Sequence, residues 1–221
     1  MLRRLLPPVL FSITLLPACL ASETAVISLP VPKKTGGMSV DAALAARRSI
    51  RTCTKQSVTI GEVGQLLWAA QGVTSADGKR TAPSAMHRYP LEIAVVANDV
   101  EGLPHGSYHY VPAKHALEPL TSAKPGADIL AGTTTQAQVR DAPVVFVIAA
   151  VYERMGAGAR NRTWTDYEAG LASENLLLEA VALDLGAVVT GGIDAERVKK
   201  AVKFAGDEQV LVVIPVGHPA K

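Results

Sequence analysis

The sequence predicts an α+β domain, a mixed sheet flanked by helices, and three observations carry that expectation. Two continuous apolar runs, Pro143 to Val151 and Gln209 to Val216, read as strands buried on both faces. Helical and strand patterns interleave along the chain, yet the early strands look like hairpin neighbours and not like βαβ units. No G-x-G-x-x-G follows a strand, so the chain does not read as a Rossmann domain.

Each element has a local reason. Ser39 is placed to cap a short Ala-rich helix through Ala46, ending at Arg47-Arg48. Thr59-Ile60-Gly61-Glu62 has capping-box spacing, so a helix opens there and runs to Gln71, with Gly72 as its stop. Leu91 to Ala97 is apolar and β-prone; after the Glu101-Gly102-Leu103-Pro104 turn, Gly106 to Val111 forms a second strand. Residues 127–139 carry a weak helical pattern. The longest helix spans Thr165 to Leu185, with Leu171, Leu178, Ala182 and Leu185 on one stripe and Gly186 past its end. Ala187 to Thr190 makes a short strand, and Asp194 caps a helix from Ala195 to Lys203.

With 221 residues and 48% apolar side chains, one domain with a sizeable core is the default. Residues 1–21 read as an export signal. Arg3 and Arg4 form the positive start, Leu5 to Leu16 the apolar stretch, and Ala18, Cys19 and Ala21 the small-residue cleavage region. The apolar run falls short of the roughly 20 residues that span a bilayer. Two exits stay open: ordinary signal peptidase releasing a product that begins near Ser22, or a lipobox-like Leu16-Pro17-Ala18-Cys19 that would lipidate Cys19. Residues 22–37, with two prolines, a lysine pair and a glycine pair, read as a linker or extended arm before the domain at 38–221. Without Arg3 and Arg4 the basic and acidic side chains are equal in number, which sets nucleic-acid binding aside. Of the two cysteines, Cys53 reads as an inert thiol, because no base or metal-ligand cluster accompanies it.

Four segments carry chemistry. Arg47-Arg48-Ser49-Ile50-Arg51 offers three guanidinium groups and a hydroxyl that could grip a phosphate; solvated cations at a helix end are the plainer alternative. Arg80-Thr81-Ala82-Pro83-Ser84-Ala85 is a small-residue loop that a flat ring could approach. Ala187-Val188-Val189-Thr190-Gly191-Gly192-Ile193-Asp194 places paired glycines between strand and helix, where backbone N–H groups stay accessible. Ile214-Pro215-Val216-Gly217-His218-Pro219 is a strand that stops in a turn.

In this order, and together with Gln65-Leu66-Leu67-Trp68-Ala69-Ala70-Gln71-Gly72, Tyr89-Pro90-Leu91-Glu92, Gly106-Ser107-Tyr108-His109-Tyr110 and Glu174-Asn175-Leu176-Leu177-Leu178-Glu179-Ala180, these segments resemble the nitroreductase superfamily. The nearer resemblance is to its SagB-like dehydrogenase branch, and it covers Ser39 to Pro219. The resemblance implies a nitroreductase-like fold, FMN as cofactor, and a homodimer with the flavin at its interface. It implies that Arg47, Ser49 and Arg51, with Arg48 as neighbour, hold the FMN phosphate and ribityl chain. Pro83, Ser84 and Ala85, donated by the second subunit, would line the isoalloxazine ring, and Thr190, Gly191 and Gly192 would lie near its N5 edge. Family members carry a further basic phosphate contact near the C-terminus; Lys221 takes that part or the contact is missing. The chain departs from the family at Thr52-Cys53, where an aromatic is common, and at Met86-His87-Arg88, where smaller residues are usual.

The function so implied is an exported FMN-dependent oxidoreductase working by ping-pong hydride transfer, with no metal and no assigned catalytic side chain. NAD(P)H is the family's usual donor, but it is a cytoplasmic metabolite; the periplasmic setting expected from residues 1–21 calls for another donor or acceptor. A peptide or azoline dehydrogenase and a non-catalytic flavin carrier are the competing readings. Residues 152–164, rich in Gly and Arg, are the nearest candidate for a substrate-contacting segment, or else a plain surface loop.

Overall fold

The computed structural model describes residues 26–122 and 126–220. In chain order the elements are β1 Ile27–Ser28, α1 Val40–Ala46, β2 Val58–Thr59, α2 Ile60–Gln71, β3 Leu91–Ala97, β4 Val100–Glu101, β5 Gly106–Val111 and β6 Ala116–Ser122. They continue with α3 Gly126–Ile129, α4 Ala137–Asp141, β7 Val144–Ala150, α5 Ala159–Ala182, β8 Gly186–Ala187, α6 Ala195–Val202 and β9 Gln209–Gly217. Seven strands form one sheet in the order β1-β6-β5-β3-β7-β9-β8, and β2 and β4 form a small parallel pair. Every strand pairing in the large sheet is antiparallel. Its parallel component is a single bridge of Ser49 to Ala187 at the β8 edge. The expected mixed sheet flanked by helices is therefore present, with β3 at its centre and β7 beside it.

β7 is buried along its whole length, as its uninterrupted apolar run requires. Period-2 alternation then sorts its side chains. Phe146, Ile148 and Ala150 join one core with α2, α5 and the odd positions of β3; Val145, Val147 and Ala149 join a second core with α6 and the α3–α4 region. The two layers of helices bracket one sheet.

The helix starts at Ser39, Thr59 and Asp194 are as expected. Each of these side chains accepts an amide N–H from the first turn, and Glu62 returns the bond to the Thr59 N–H. Gly72 ends α2 for a steric reason. A Cβ there would lie 2.2 Å from Cδ1 of Trp68, whose indole covers it.

Several expectations need correction. The long helix begins at Ala159, not Thr165, and ends at Ala182. Its buried stripe is Thr165, Glu168, Ala169, Ala172, Ser173, Leu176, Leu177 and Ala180, while Leu171 is 47% exposed. The stripe inferred from leucines alone overlooked that small residues let α5 lie close against α2 and the sheet. The left-handed residue past that helix is Asp184 (φ +57°), not Gly186. Gly186 is in β8, which the sequence placed at Ala187 to Thr190. Residues 127–139 are two short helices and not one. Strand β6 has no alternating signature in the sequence, because Pro119 and the charged Glu118 interrupt its period.

Residues 26–38 precede α1 as an arm with one short strand. Ile27–Ser28 adds a strand to the β6 edge, Leu29 is buried, and Gln65 makes a two-way hydrogen bond with the backbone of Lys33. His115 holds the arm from the other side, with one ring nitrogen on the Pro30 carbonyl and the other on the Tyr110 hydroxyl.

Candidate functional site

The arginine segment and the glycine turn come together at the β8 edge. After α1 the chain runs extended, Ser49 bridges Ala187, and the Ile50 N–H donates to the Ala187 carbonyl at 3.0 Å. Gly186 permits this approach, since a Cβ there would sit 2.6 Å from Cγ2 of Ile50. Farther on, Thr54 donates to the His218 carbonyl and Ala220 to that of Thr52, which ties the closing Gly217-His218-Pro219 turn to the same segment. Three of the four chemistry-bearing segments thus share one edge of the sheet.

The guanidinium groups do not converge as a single clasp. Arg47 pairs with Glu174 of α5 at 3.5 Å. Arg48 donates to the carbonyls of Ala45 and Arg47, the helix-end role. Arg51 borders a cavity of about 200 Å³ against α4. Ser49 and Arg51, two apart on extended backbone, share a face.

Thr190 is buried, and its N–H and carbonyl are both committed to Val213. Gly191 and Gly192 are exposed, and no partner for their N–H groups exists among the described residues. Added bulk at Gly191 would meet open space, whereas at Gly192 it would strike Gln136 at 2.4 Å. Gln136 and Thr134 donate to the Gly192 carbonyl and fix the turn; neither stood out in the sequence.

Between α5, Val189 of the glycine segment and the β9 residues Leu211 and Val212 runs a cavity of about 340 Å³, also lined by Asp166, Gly170, Ser173 and Glu174. Glu174, the partner of Arg47, stands at one end. Asp166 stands at the other, eight residues or about 12 Å along the helix.

Pro83, Ser84 and Ala85 are not part of this cavity. The Ala85 N–H donates to Oε1 of buried Glu168 at 2.7 Å, and Ser84 also bonds that carboxyl. Burial pushes the Glu168 carboxyl up, and these two donors offset part of that rise. At 100° per residue, Glu168 is about 160° round α5 from Gly170, so loop and cavity occupy opposite flanks. Between them lies an exposed apolar stripe of Trp164, Tyr167 and Leu171.

Beyond Ala85 the loop is held in an uncommon conformation. Met86, His87 and Tyr89 all have positive φ, near +50°. Arg80 stacks on the Tyr89 ring, and Arg154 bonds the Tyr89 carbonyl. Arg154 in turn pairs with Glu92, which also bonds His109 at 2.6 Å. Burial pushes the Glu92 carboxyl up, but the bonds from His109 and Arg154 outweigh it and hold the carboxyl below its ordinary value. Lys221, Cys19 and the rest of residues 1–21 lie outside the described residues. Among the described residues no cluster of His, Cys, Asp and Glu could hold a metal ion, and no helix is long and apolar enough to cross a membrane.

The family model described as the nitroreductase family matches residues 44–218. The chain belongs to the nitroreductase family. It is 34% identical over 177 residues to a Methanocaldococcus jannaschii protein whose name places it among the nitroreductases, covering 79% of this chain and 88% of that one. Its fold superposes with a TM-score of 0.77 on a crystal structure from Ralstonia eutropha carrying the same family name, at 29% identity, over 91% of this chain and 93% of the other. A Desulfovibrio desulfuricans member, solved in complex with FMN, superposes with a TM-score of 0.61 at 27% identity, over 84% and 89% of the two chains. The nitroreductase-like α+β fold is thereby established for this chain.

The residues present fit a flavin. The cavity wall is apolar at Ala169, Val189 and Leu211, it carries no side chain at Gly170, and the unpartnered N–H groups of Gly191 and Gly192 lie on the turn that follows Val189. A planar ring with hydrogen-bonding edges needs these features.

Proposed function

We propose that this family member is an FMN-dependent oxidoreductase that exchanges hydride between two substrates in turn, by a ping-pong mechanism. The observation that carries the reading is the cavity along α5, bounded by Arg47–Glu174 and Val189. Arg47, Ser49 and Arg51 would hold the phosphate and ribityl chain, with Arg48 left at the helix end. A flavin supplies two-electron chemistry through N5 when bound. The protein's part is then to position the ring, exclude water along the apolar wall, and offer the Gly191 and Gly192 amides to its polar edge.

The reading includes a homodimer. Ser84 and Ala85 stand across α5 from the cavity of their own subunit, and the stripe of Trp164, Tyr167 and Leu171 between them is apolar and exposed. Two-fold packing along that stripe would carry the loop of one subunit toward the cavity of the other. Placement in the SagB-like branch rests on the motifs quoted above. Export, with or without lipidation at Cys19, rests on residues 1–21, and with it the inference that a donor other than NAD(P)H acts physiologically, although NAD(P)H would serve in vitro.

Purification from the periplasmic fraction tests the reading. The expected product is a yellow dimer with oxidised-flavin absorbance that bleaches under dithionite and is reoxidised by a quinone. A colourless protein that takes up no FMN on reconstitution would refute it. A yellow protein inert toward every donor would favour the carrier reading.

A further inference from the structure

A second cavity, of about 480 Å³, opens at the Asp166 end of α5 and is lined by Tyr152, Glu153, Gly156 to Ala159 and Arg162. Two contacts join it to the first cavity. The Tyr152 hydroxyl donates to Oδ1 of Asp166, which lines the first. The Arg162 guanidinium donates to Gln209 at 2.8 Å, at the start of the strand whose Leu211 and Val212 wall the first. If a flavin lies along α5 with its phosphate toward Arg47, its ring end is the end that meets this second space.

Arg162 is held in an unusual way. Its guanidinium stacks on the Tyr152 ring, 3.8 Å from the centroid, and its hydrogen-bond partner is the neutral amide of Gln209. Among the described residues it forms no ion pair. The nearest acid on its own helix face, Asp166, is occupied by Tyr152. Burial and that bond push the Tyr152 phenol up to about 12, so it stays a donor to Asp166 at neutral pH. Ring and amide fix the plane of the guanidinium without an ion pair among the described residues, and its spare N–H donors are available to an oxygen anion. Glu153 also lines the cavity and forms no ion pair among the described residues, so it opposes an anion bound there.

We propose that the 480 Å³ cavity is the acceptor-binding pocket and that Arg162 selects planar substrates bearing a carboxylate or similar oxyanion. The inference rests on the flavin reading above and adds the substrate class and the selecting residue. Tyr152 and Gln209 are positioning residues that act through Arg162. The pocket's Gly156, Ala157, Gly158 and Ala159 contribute little bulk, which leaves room for a ring beside the guanidinium.

Calorimetric titration of the oxidised, flavin-loaded protein tests this without turnover, with benzoate and benzamide as ring-matched charged and neutral probes. Benzoate is expected to bind more tightly than benzamide, and to weaken as salt is raised from 20 to about 200 mM. R162Q is expected to weaken benzoate about tenfold or more, the loss of one charge-assisted contact, and to leave benzamide within about twofold. R162K, which keeps the charge, should fall between, and E153Q should tighten benzoate a few-fold. Equal affinity of the unaltered protein for the two probes, or a salt-independent benzoate affinity, overturns the proposal with no variant needed. So does an R162Q protein of normal flavin content that still prefers benzoate. A yellow protein that fails to discriminate removes the acceptor pocket alone; a protein that takes up no flavin removes the underlying reading as well.

Discussion

Gly186 sets how close the arginine segment approaches the sheet, and Gly186→Ala measures how much that approach matters. The added methyl would lie 2.6 Å from Cγ2, 2.8 Å from Cβ and 3.2 Å from Cγ1 of Ile50. Carbon atoms pack at about 3.5–4.0 Å, so segment 49–51 must retreat by about 1 Å or β8 must yield. Ile50 is β-branched and stiff at χ1, and its backbone is hydrogen-bonded to Ala187, so it cannot simply rotate away. Overpacking of this kind costs about 1–3 kcal/mol. Denaturant unfolding should show that loss at unchanged slope, and a thermal melt should fall by about 2–4 °C for each kcal/mol. Because the shifted residues include Ser49 and Arg51, FMN affinity should fall as well, about tenfold for each 1.4 kcal/mol of binding free energy. Flavin fluorescence quenching reads that affinity directly. Ile50→Ala opens the space the new methyl needs, so the double variant should recover much of the loss, and the cycle isolates the clash from the glycine's backbone freedom. A Gly186→Ala protein with unaltered melting and unaltered FMN affinity would refute the reasoning.

Other outcomes follow from the same geometry. Arg47→Ala and Arg51→Ala should each weaken FMN by about 1.5–3 kcal/mol if each makes one charge-assisted phosphate contact, while Arg48→Ala leaves affinity within about twofold, all read by the same quenching titration. Phe146→Ala, at the buried centre of β7, should cost about 3–5 kcal/mol in urea unfolding; a loss under 1 kcal/mol would contradict the two-core packing. His115 is held below its usual value by burial, with a smaller opposing contribution from its bond to Pro30. The unfolded chain therefore binds the extra proton, and stability should be complete above the unfolded value of 6.5 and decline as pH falls through it toward the folded value. His115→Asn should flatten that slope in melts taken at successive pH values. Glu168 behaves oppositely: burial raises its carboxyl, so its contribution is present below the ordinary 4.5 and is lost as pH rises through the folded value. Glu168→Gln should remove that dependence, again followed by melting temperature against pH.

Much of this protein was determined by local sequence alone. Ser39, Thr59 with Glu62, and Asp194 start their helices because each side chain satisfies amides of its own first turn, an interaction that needs no tertiary partner. The apolar run at β7 announces a strand covered on both faces, and the order of the arginine, Pro83–Ala85 and glycine segments marks the family. Only the tertiary structure decided the rest. It chose Thr165, Ala169, Ala172 and Ser173, with Leu176 and Leu177, for the buried stripe of α5 while exposing Trp164, Tyr167 and Leu171, because the way the helix settles on α2 and the sheet decides which side chains are covered. It divided the three arginines among three tasks, since their partners at Glu174, Ala45 and the α4 cavity lie on different elements. It also joined Tyr152 to Asp166 and Arg162 to Gln209, pairings as much as 47 residues apart that no local pattern encodes. Periodicity and capping act within a few residues and are legible along the chain; the convergence of distant side chains depends on how the helices settle on the sheet.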